Sequence, residues 1–229
     1  MTTSDSSFNF VHITDTHIME RGRYGPPGVD EEDQFELDTT ASLQQVVDTI
    51  SALAEPPAFV VVGGDLASPD LLDRERVLSP EEYHPSYETL KALLANLPCP
   101  THLLLGNHDN RTAFHEVMAT GLSGNTPHHY SFDHAGCHFV ALDSHVPGEH
   151  GGHVDTDQLA WLDEDLQAHA SMRTIVFMHH HPWPVGHQWM DTMGLENGAA
   201  LIEILERHPQ TSWMICGHVH LDQHVQRGR

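Results

Sequence analysis

Two histidines one residue apart, His218 and His220, follow an apolar run from Trp213 to Cys216 and a single glycine, Gly217. Neutral imidazole is a ligand for zinc, iron, nickel and copper. Two rings leaving the mouth of a buried strand suit a pair of adjacent metal ions, provided that carboxylates reach the same place. Four other apolar runs also end in groups of metal-ligand type: Asp15/His17, Asp65, Asn107/His108 and His179/His180/His181. Taken singly, each has a plain structural explanation, because Asp-x-His and Gly-Gly-Asp are ordinary turns and Gly-Asn-His-Asp reads as another. Five such clusters, each at a strand exit, do not share that explanation.

The elements that must position these residues alternate along the chain. Phe8 to Thr14 reads as a strand running into Asp15. The Gly-, Pro- and acid-rich stretch from Met19 to Glu36 reads as a long loop, with Gly22 to Gly28 as a lid or a tether. Asp38 to Leu53 has helical apolar spacing, and Ala58 to Val62 is a continuous run of the kind buried on both faces of a sheet. A helix over Ser86 to Leu97 and a strand over Thr101 to Leu105 lead to Asn107. A short helix from Arg111 to Met118 comes next, then antiparallel strands at Tyr130 to Asp133 and Cys137 to Leu142. Thr156 to His169 is a helix capped by Asp155. A strand over Arg173 to Met178, a helix over Leu195 to Arg207 and the strand before Gly217 complete the order. Such alternation predicts an α/β fold in one domain over residues 1–229, its sheet covered by helices and its ligands gathered at the carboxyl ends of strands.

Composition narrows the partners. The 229 residues carry a formal charge of -23, and Lys91 is the sole lysine. A surface this negative repels a nucleic-acid duplex and an anionic membrane. A phosphate ester would also be repelled unless local positive charge, such as bound metal, cancels the field. The acidity by itself also fits a soluble protein in a salty cytoplasm. Met1 to Ser7 lacks the basic and apolar regions of a signal peptide, and no apolar run is long enough to span a bilayer. Cys99, Cys137 and Cys216 share no ligand spacing and read as buried thiols in a reducing, cytoplasmic setting.

Asp15-Thr16-His17, Gly64-Asp65, Gly106-Asn107-His108-Asp109, His180-His181-Pro182 and Gly217-His218-Val219-His220 together resemble the signature of the calcineurin-like metallophosphoesterases. The loop from Leu142-Asp143-Ser144 to Gly152, Gln158 to Leu162 and the run from His179 to Pro184 resemble the class III cyclic-nucleotide phosphodiesterases and glycerophosphodiesterases within that family. The resemblance implies a four-layer αββα sandwich, α+β in type. It implies two divalent or trivalent metal ions (Fe, Mn, Zn or Co) bridged by Asp65. Asp15, His17 and His220 would hold one ion, and Asn107, His180 and His218 the other. The family spacing of ligand, any residue, proline selects His180, and His179 is then expected to point to the opposite side of an extended backbone. His181 is left beside the ligands or facing substrate.

The activity implied is hydrolysis of a small phosphodiester, 3′,5′-cyclic AMP to 5′-AMP before others, by attack of a metal-bridging hydroxide. Asp65, Asn107 and His108 are the catalytic residues on this reading, with His108 as the acid for the leaving group. Asp109 either orients His108 or caps the helix at Arg111. Arg111 either binds phosphate or is a solvated helix-start residue. Trp183, Trp189, His187, His145 and His150 fall in loops that could flank the site. A glycerophosphodiesterase or phosphomonoesterase on the same metals is the competing enzyme, and an inactive metal-binding scaffold is the competing non-enzyme. Family members continue past the last motif, whereas this chain ends at Arg229, so shortened C-terminal strands are expected. An uncovered sheet edge would make a homodimer a reasonable assembly.

Overall fold

The structure, a computed structural model, describes residues 7–24, 35–71 and 77–226. Its first half runs through β1 (Val11–Ile13), a short antiparallel pair β2 (Gly22–Tyr24) and β3 (Phe35–Leu37), and α1 (Thr39–Ser51). It continues with β4 (Val60–Gly63), α2 (Pro80–Leu94), β5 (Thr101–Leu104) and α3 (Arg111–Met118). The second half contains β6 (Tyr130–His134), β7 (Cys137–Ala141), α4 (Thr156–Ala168), β8 (Arg173–Met178), α5 (Gly198–Arg207) and β9 (Thr211–Cys216). One sheet is parallel throughout, in the order β1-β4-β5; the other is ordered β6-β7-β8-β9, with only the β6-β7 pair antiparallel.

Side-chain alternation along the strands builds the layers. Val60 and Val62 of β4 face Leu43, Val47 and Ile50 of α1 and Tyr87 and Leu90 of α2. Val61 points the other way, into an inter-sheet core with Phe59, Leu104, Phe139 and Phe177. On the second sheet, Val140, Val176 and Met178 pack under Leu162 and Leu166 of α4 and Leu201 of α5. The result is helices, sheet, sheet, helices, the four-layer α/β arrangement the resemblance implied. Each fully buried Val, Leu or Phe contributes about 1.5–3 kcal/mol relative to exposure. The inter-sheet layer is therefore a principal source of cohesion. It is strongly aromatic: Phe10 stacks on Phe59 at 5.2 Å between centroids, and Phe139 meets Phe59 edge-on at 5.1 Å.

Two local expectations change. Helix α2 begins at Pro80 rather than Ser86, and it contains Pro85. A proline at the first helical position costs nothing, and the Glu82 carboxylate accepts the Ser79 backbone N–H at 2.9 Å, which offsets the single bond lost at Pro85. Within the stretch read as loop, Gly22–Tyr24 pairs with Phe35–Leu37. Residues 25–34, which include most of the expected lid or tether, lie outside the described residues. Among the described residues β9 is an edge strand, with Trp213 60% exposed, and no helix is long and apolar enough to cross a membrane.

Candidate metal centre

The carboxyl ends of β1, β4, β5, β8 and β9 converge, and their exit loops are laced together by backbone hydrogen bonds. Asp15 N–H donates to Gly64 O at 3.0 Å, His17 N–H to Asp65 O at 2.8 Å and Gly217 N–H to His179 O at 3.1 Å. Asp15, His17, Asp65, His218 and His220 all have φ between 42° and 71°, and they are five of the seven non-glycine residues with positive φ among those described. Left-handed backbone at five such residues costs of order 1–3 kcal/mol each, and strain of this kind clusters at functional sites. Gly64 makes the close approach feasible: its φ is 96°, and a β-carbon there would lie 2.6 Å from His179 Nδ1 and 2.8 Å from Gly106 N.

Two sets of donor atoms meet at Asp65. His17 Nε2 lies 3.7 Å and His179 Nε2 3.3 Å from the same oxygen, Asp65 Oδ2. Asp15 Oδ1, His17 and His220 form one set: His220 Nε2 is 3.0 Å from Asp15 Oδ1 and 3.4 Å from His17 Nε2. Asp65, His179 and His218 form the other, each offering a donor atom within 4.8 Å of the rest. Asn107 Oδ1, His179 Nε2 and His218 Nε2 are buried without a hydrogen-bond partner. Orphaned buried polar atoms are costly and rare. The far nitrogens, by contrast, are tied: His17 Nδ1 to Ser68 Oγ at 2.7 Å and His179 Nδ1 to Gly63 O at 2.8 Å. That pattern orients Nε2 inward as a metal ligand. The donor set therefore fits transition-metal or zinc ions, which satisfy the orphaned atoms.

Electrostatics agree with that fit at His17 and His218, whereas at His179 an arriving ion would have to displace a proton. Burial lowers His17 and His218 to about 4, which keeps both rings neutral and ready to ligate. At His179 burial works against a charge, but Asp65 and Asp15 outweigh it and push the ring up to about 9. Burial also favours the neutral acid at Asp65, yet His179 and His17 hold its carboxyl well below the usual range.

The structure revises the reading of the triple-histidine run. His179, expected to point away, faces Asp65, while His180 Nδ1 lies 2.8 Å from Ser144 Oγ and its Nε2 3.2 Å from His150 O. Period-two alternation explains why. Ile175 and Phe177 point into the inter-sheet layer, so the first residue past β8 follows them toward the other sheet, and His180 follows Met178 toward α4 and α5. That signal was present in the apolar pattern of the strand.

Asp109 and Arg111 also take roles other than those expected. Asp109 is buried and accepts from the backbone N–H groups of Leu66, Ala67 and Gly106 and from the Tyr87 hydroxyl, so it ties the Asp65 and Asn107 loops together. Burial and the nearby Asp65 charge push its carboxyl up to about 7, against the pull of those N–H groups. Arg111 is neither solvated nor aimed at substrate. It makes a two-pronged pair with Asp143, at 2.8 and 3.0 Å, and donates to His145 O at 2.6 Å. His108 is half-buried, its ring 5.1 Å from that of His17 and its backbone N–H donating to Asp65 Oδ1 at 2.8 Å. A cleft of about 930 Å³ is lined by His181, Trp183, Gly152, Glu149, Asp191 and Glu196 among others, and by none of the donor residues. The His181 ring stacks 5.8 Å from His218, which links the cleft to the donor atoms. Trp189, with 61% exposure, stands in solvent.

The calcineurin-like phosphoesterase family profile matches residues 8–222. The chain belongs to that family. As a calcineurin-like phosphoesterase it is a metal-dependent phosphoester hydrolase. It is 29% identical over 225 residues to the 3′,5′-cyclic adenosine monophosphate phosphodiesterase CpdA of Pseudomonas aeruginosa, spanning 98% of this chain and 74% of that protein. It is 32% identical over 216 residues to the glycerophosphodiester phosphodiesterase GpdQ of Enterobacter lignolyticus, spanning 92% and 70%. A dimetal phosphatase from Danio rerio has the same fold, with a TM-score of 0.72 at 19% identity over 93% of this chain and 82% of its own.

Proposed function

We propose that the chain, acting as a single domain, hydrolyses a small phosphodiester with two bound metal ions, and that 3′,5′-cyclic AMP is its substrate. The observation that carries the reading is the meeting of two donor sets on one carboxylate, Asp65. Asp15, His17 and His220 would hold one ion and Asn107, His179 and His218 the other, with Asp65 within reach of both. When bound, such ions make hydroxide available near neutral pH and neutralise charge on the phosphate.

The chain's own residues supply the rest. The His108 N–H fixes Asp65 Oδ1, which leaves Oδ2 turned to the imidazoles. Asn107 contributes a neutral oxygen, so it adds nothing for an anionic substrate to oppose. His108, beside His17 at the rim, gives a proton to the departing 3′-oxygen as the phosphorus–oxygen bond breaks. The cleft beside His181 and Trp183 receives the alcohol side of the ester. Its acidic lining suits a neutral or cationic group there. Three free thiols accord with a cytoplasmic setting.

Reconstitution of metal-depleted protein with Mn, Fe, Zn or Co, followed by a panel of cyclic AMP, a glycerophosphodiester, bis-nitrophenyl phosphate and nitrophenyl phosphate, tests this reading. Diesters should be turned over ahead of the monoester, and Asp65→Ala should lose metal and activity together. An unchanged rate in Asp65→Ala removes the reading. A preference for the glycerophosphodiester over cyclic AMP would instead favour the activity named for the relative from Enterobacter lignolyticus.

A further inference from the structure

The phosphate of a diester is an anion, yet no lysine or arginine side chain among those described stands at the donor atoms. Arg21 pairs with Glu36, Lys91 donates to Val117 O, Arg111 is locked to Asp143, and Arg207 pairs with Asp163. Arg173 opens β8 at the end remote from the donors, about 17 Å from Met178 by strand rise. Whatever the chain's own side chains give the phosphate must therefore come from imidazoles, amides or hydroxyls.

His150, in the loop between β7 and α4, is placed to give such a contact. Its carbonyl accepts from His180 Nε2 at 3.2 Å, and the His180 ring stands 4.7 Å from that of His218, on the second-sheet side. Its own ring lies 6.4 Å from that of His108, which stands 5.1 Å from His17 on the first-sheet side. His150 thus reaches across the rim from one set of donors toward the other. The loop that carries it is stapled. The Ser144 hydroxyl donates to His180 Nδ1 at 2.8 Å and the His153 N–H to Ser144 O at 3.0 Å, while the Glu149 N–H closes a turn on Val146 O at 3.1 Å. A neutral His180 serves both ends of this loop, with its one N–H at Nε2 and its lone pair at Nδ1. The His150 side chain itself is exposed, and its ring has no hydrogen-bond partner among the described residues.

We infer that His150 is a second substrate-binding imidazole, donating to a phosphoryl oxygen of the bound diester while His108 serves the leaving oxygen. The inference rests on the reading above that this centre takes a phosphodiester. The spacing allows it: two phosphoryl oxygens lie about 2.5 Å apart and a hydrogen bond adds about 2.8 Å on either side, so donors up to about 8 Å apart can hold one phosphate. A contact made equally to substrate and transition state lowers KM and leaves kcat alone. His150 is on this account a binding residue, distinct in its kinetics from His108.

Calorimetric titration of the metal-loaded full chain with inorganic phosphate, beside steady-state hydrolysis of bis-nitrophenyl phosphate, tests this. His150→Ala and His150→Phe should each weaken phosphate binding and raise KM by about 10-fold, with kcat and the metal count unchanged. His150→Gln, which restores an N–H donor, should recover most of the loss. Phosphate affinity and KM unchanged in His150→Ala, or a His150→Phe variant equal to the parent, overturn the inference. A loss confined to kcat overturns it as well, because it would place His150 on the leaving group. Absence of hydrolysis in the parent would sink the functional reading alone, since the phosphate titration decides the role of His150 without turnover.

Discussion

Asp109 accepts the backbone N–H of Leu66 with both carboxylate oxygens, at 3.0 and 3.1 Å. The same carboxylate takes the Gly106 N–H at 2.8 Å and the Tyr87 hydroxyl at 2.9 Å. The loops carrying Asp65 and Asn107 are thus held in register by a residue that touches no substrate. In Asp109→Asn an acceptor becomes a donor facing other donors. Urea unfolding should show a loss of about 1–3 kcal/mol, accompanied by weaker metal retention. A variant as stable as the parent would show that the carboxylate is not the tie.

The Arg111–Asp143 pair gives a prediction with a sign in pH. Burial alone would raise the Asp143 carboxyl, but the guanidinium beside it more than offsets this and holds it below the usual value. A group depressed in the folded state stabilises the fold above its unfolded value, near 4, and loses that contribution as pH falls through the folded one. Asp143→Ala, which strands a buried Arg111, should cost about 3–5 kcal/mol at neutral pH. The gap between parent and variant should narrow once the pH drops below about 4. A gap independent of pH would count against the pair.

His179 and His180 separate cleanly by experiment. His179→Ala should remove bound metal and with it activity. His180→Ala, which breaks a contact to Ser144 near the donors, should weaken metal affinity by about 10–100-fold and be rescued by added metal. Metal counts and rates measured across a metal titration decide between them. The reverse ranking would restore the assignment made from proline spacing.

For His108, replacement by Ala should lower kcat by about 10²–10⁴-fold while bound metal stays unchanged. An ester with a good leaving group such as nitrophenolate should suffer less than a cyclic nucleotide, because its oxygen needs no proton. Equal losses on both would take the proton donor away from His108.

Much of this was legible in the sequence. The strands ending at Ile13, Gly63, Met178 and Cys216 announced themselves by continuous or alternating apolar runs, and each ended in ligand chemistry. Helix α2 starts earlier than its apolar spacing suggests, because Pro85 masks a helix whose start is fixed by Ser79, Pro80 and Glu82. The roles of Asp109 and Arg111 were illegible for a different reason. Their partners, Leu66 and Asp143, lie 43 and 32 residues away, and no local pattern encodes a pairing of that span. For the triple-histidine run two local signals compete: the spacing to Pro182 favours His180, and the inward-facing set of Ile175 and Phe177 favours His179.

The donors divide between two jaws. Asp15, His17, Asp65 and Asn107 ride on the first sheet, and His179, His218 and His220 on the second. What sets the gape is the aromatic seam of Phe10, Phe59, Phe139 and Phe177. Trimming Phe139, a strand residue of that seam, would let the jaws drift as well as remove about 3–5 kcal/mol of stability. The grip on an ion is, in that sense, a property of the hinge pin as much as of the teeth.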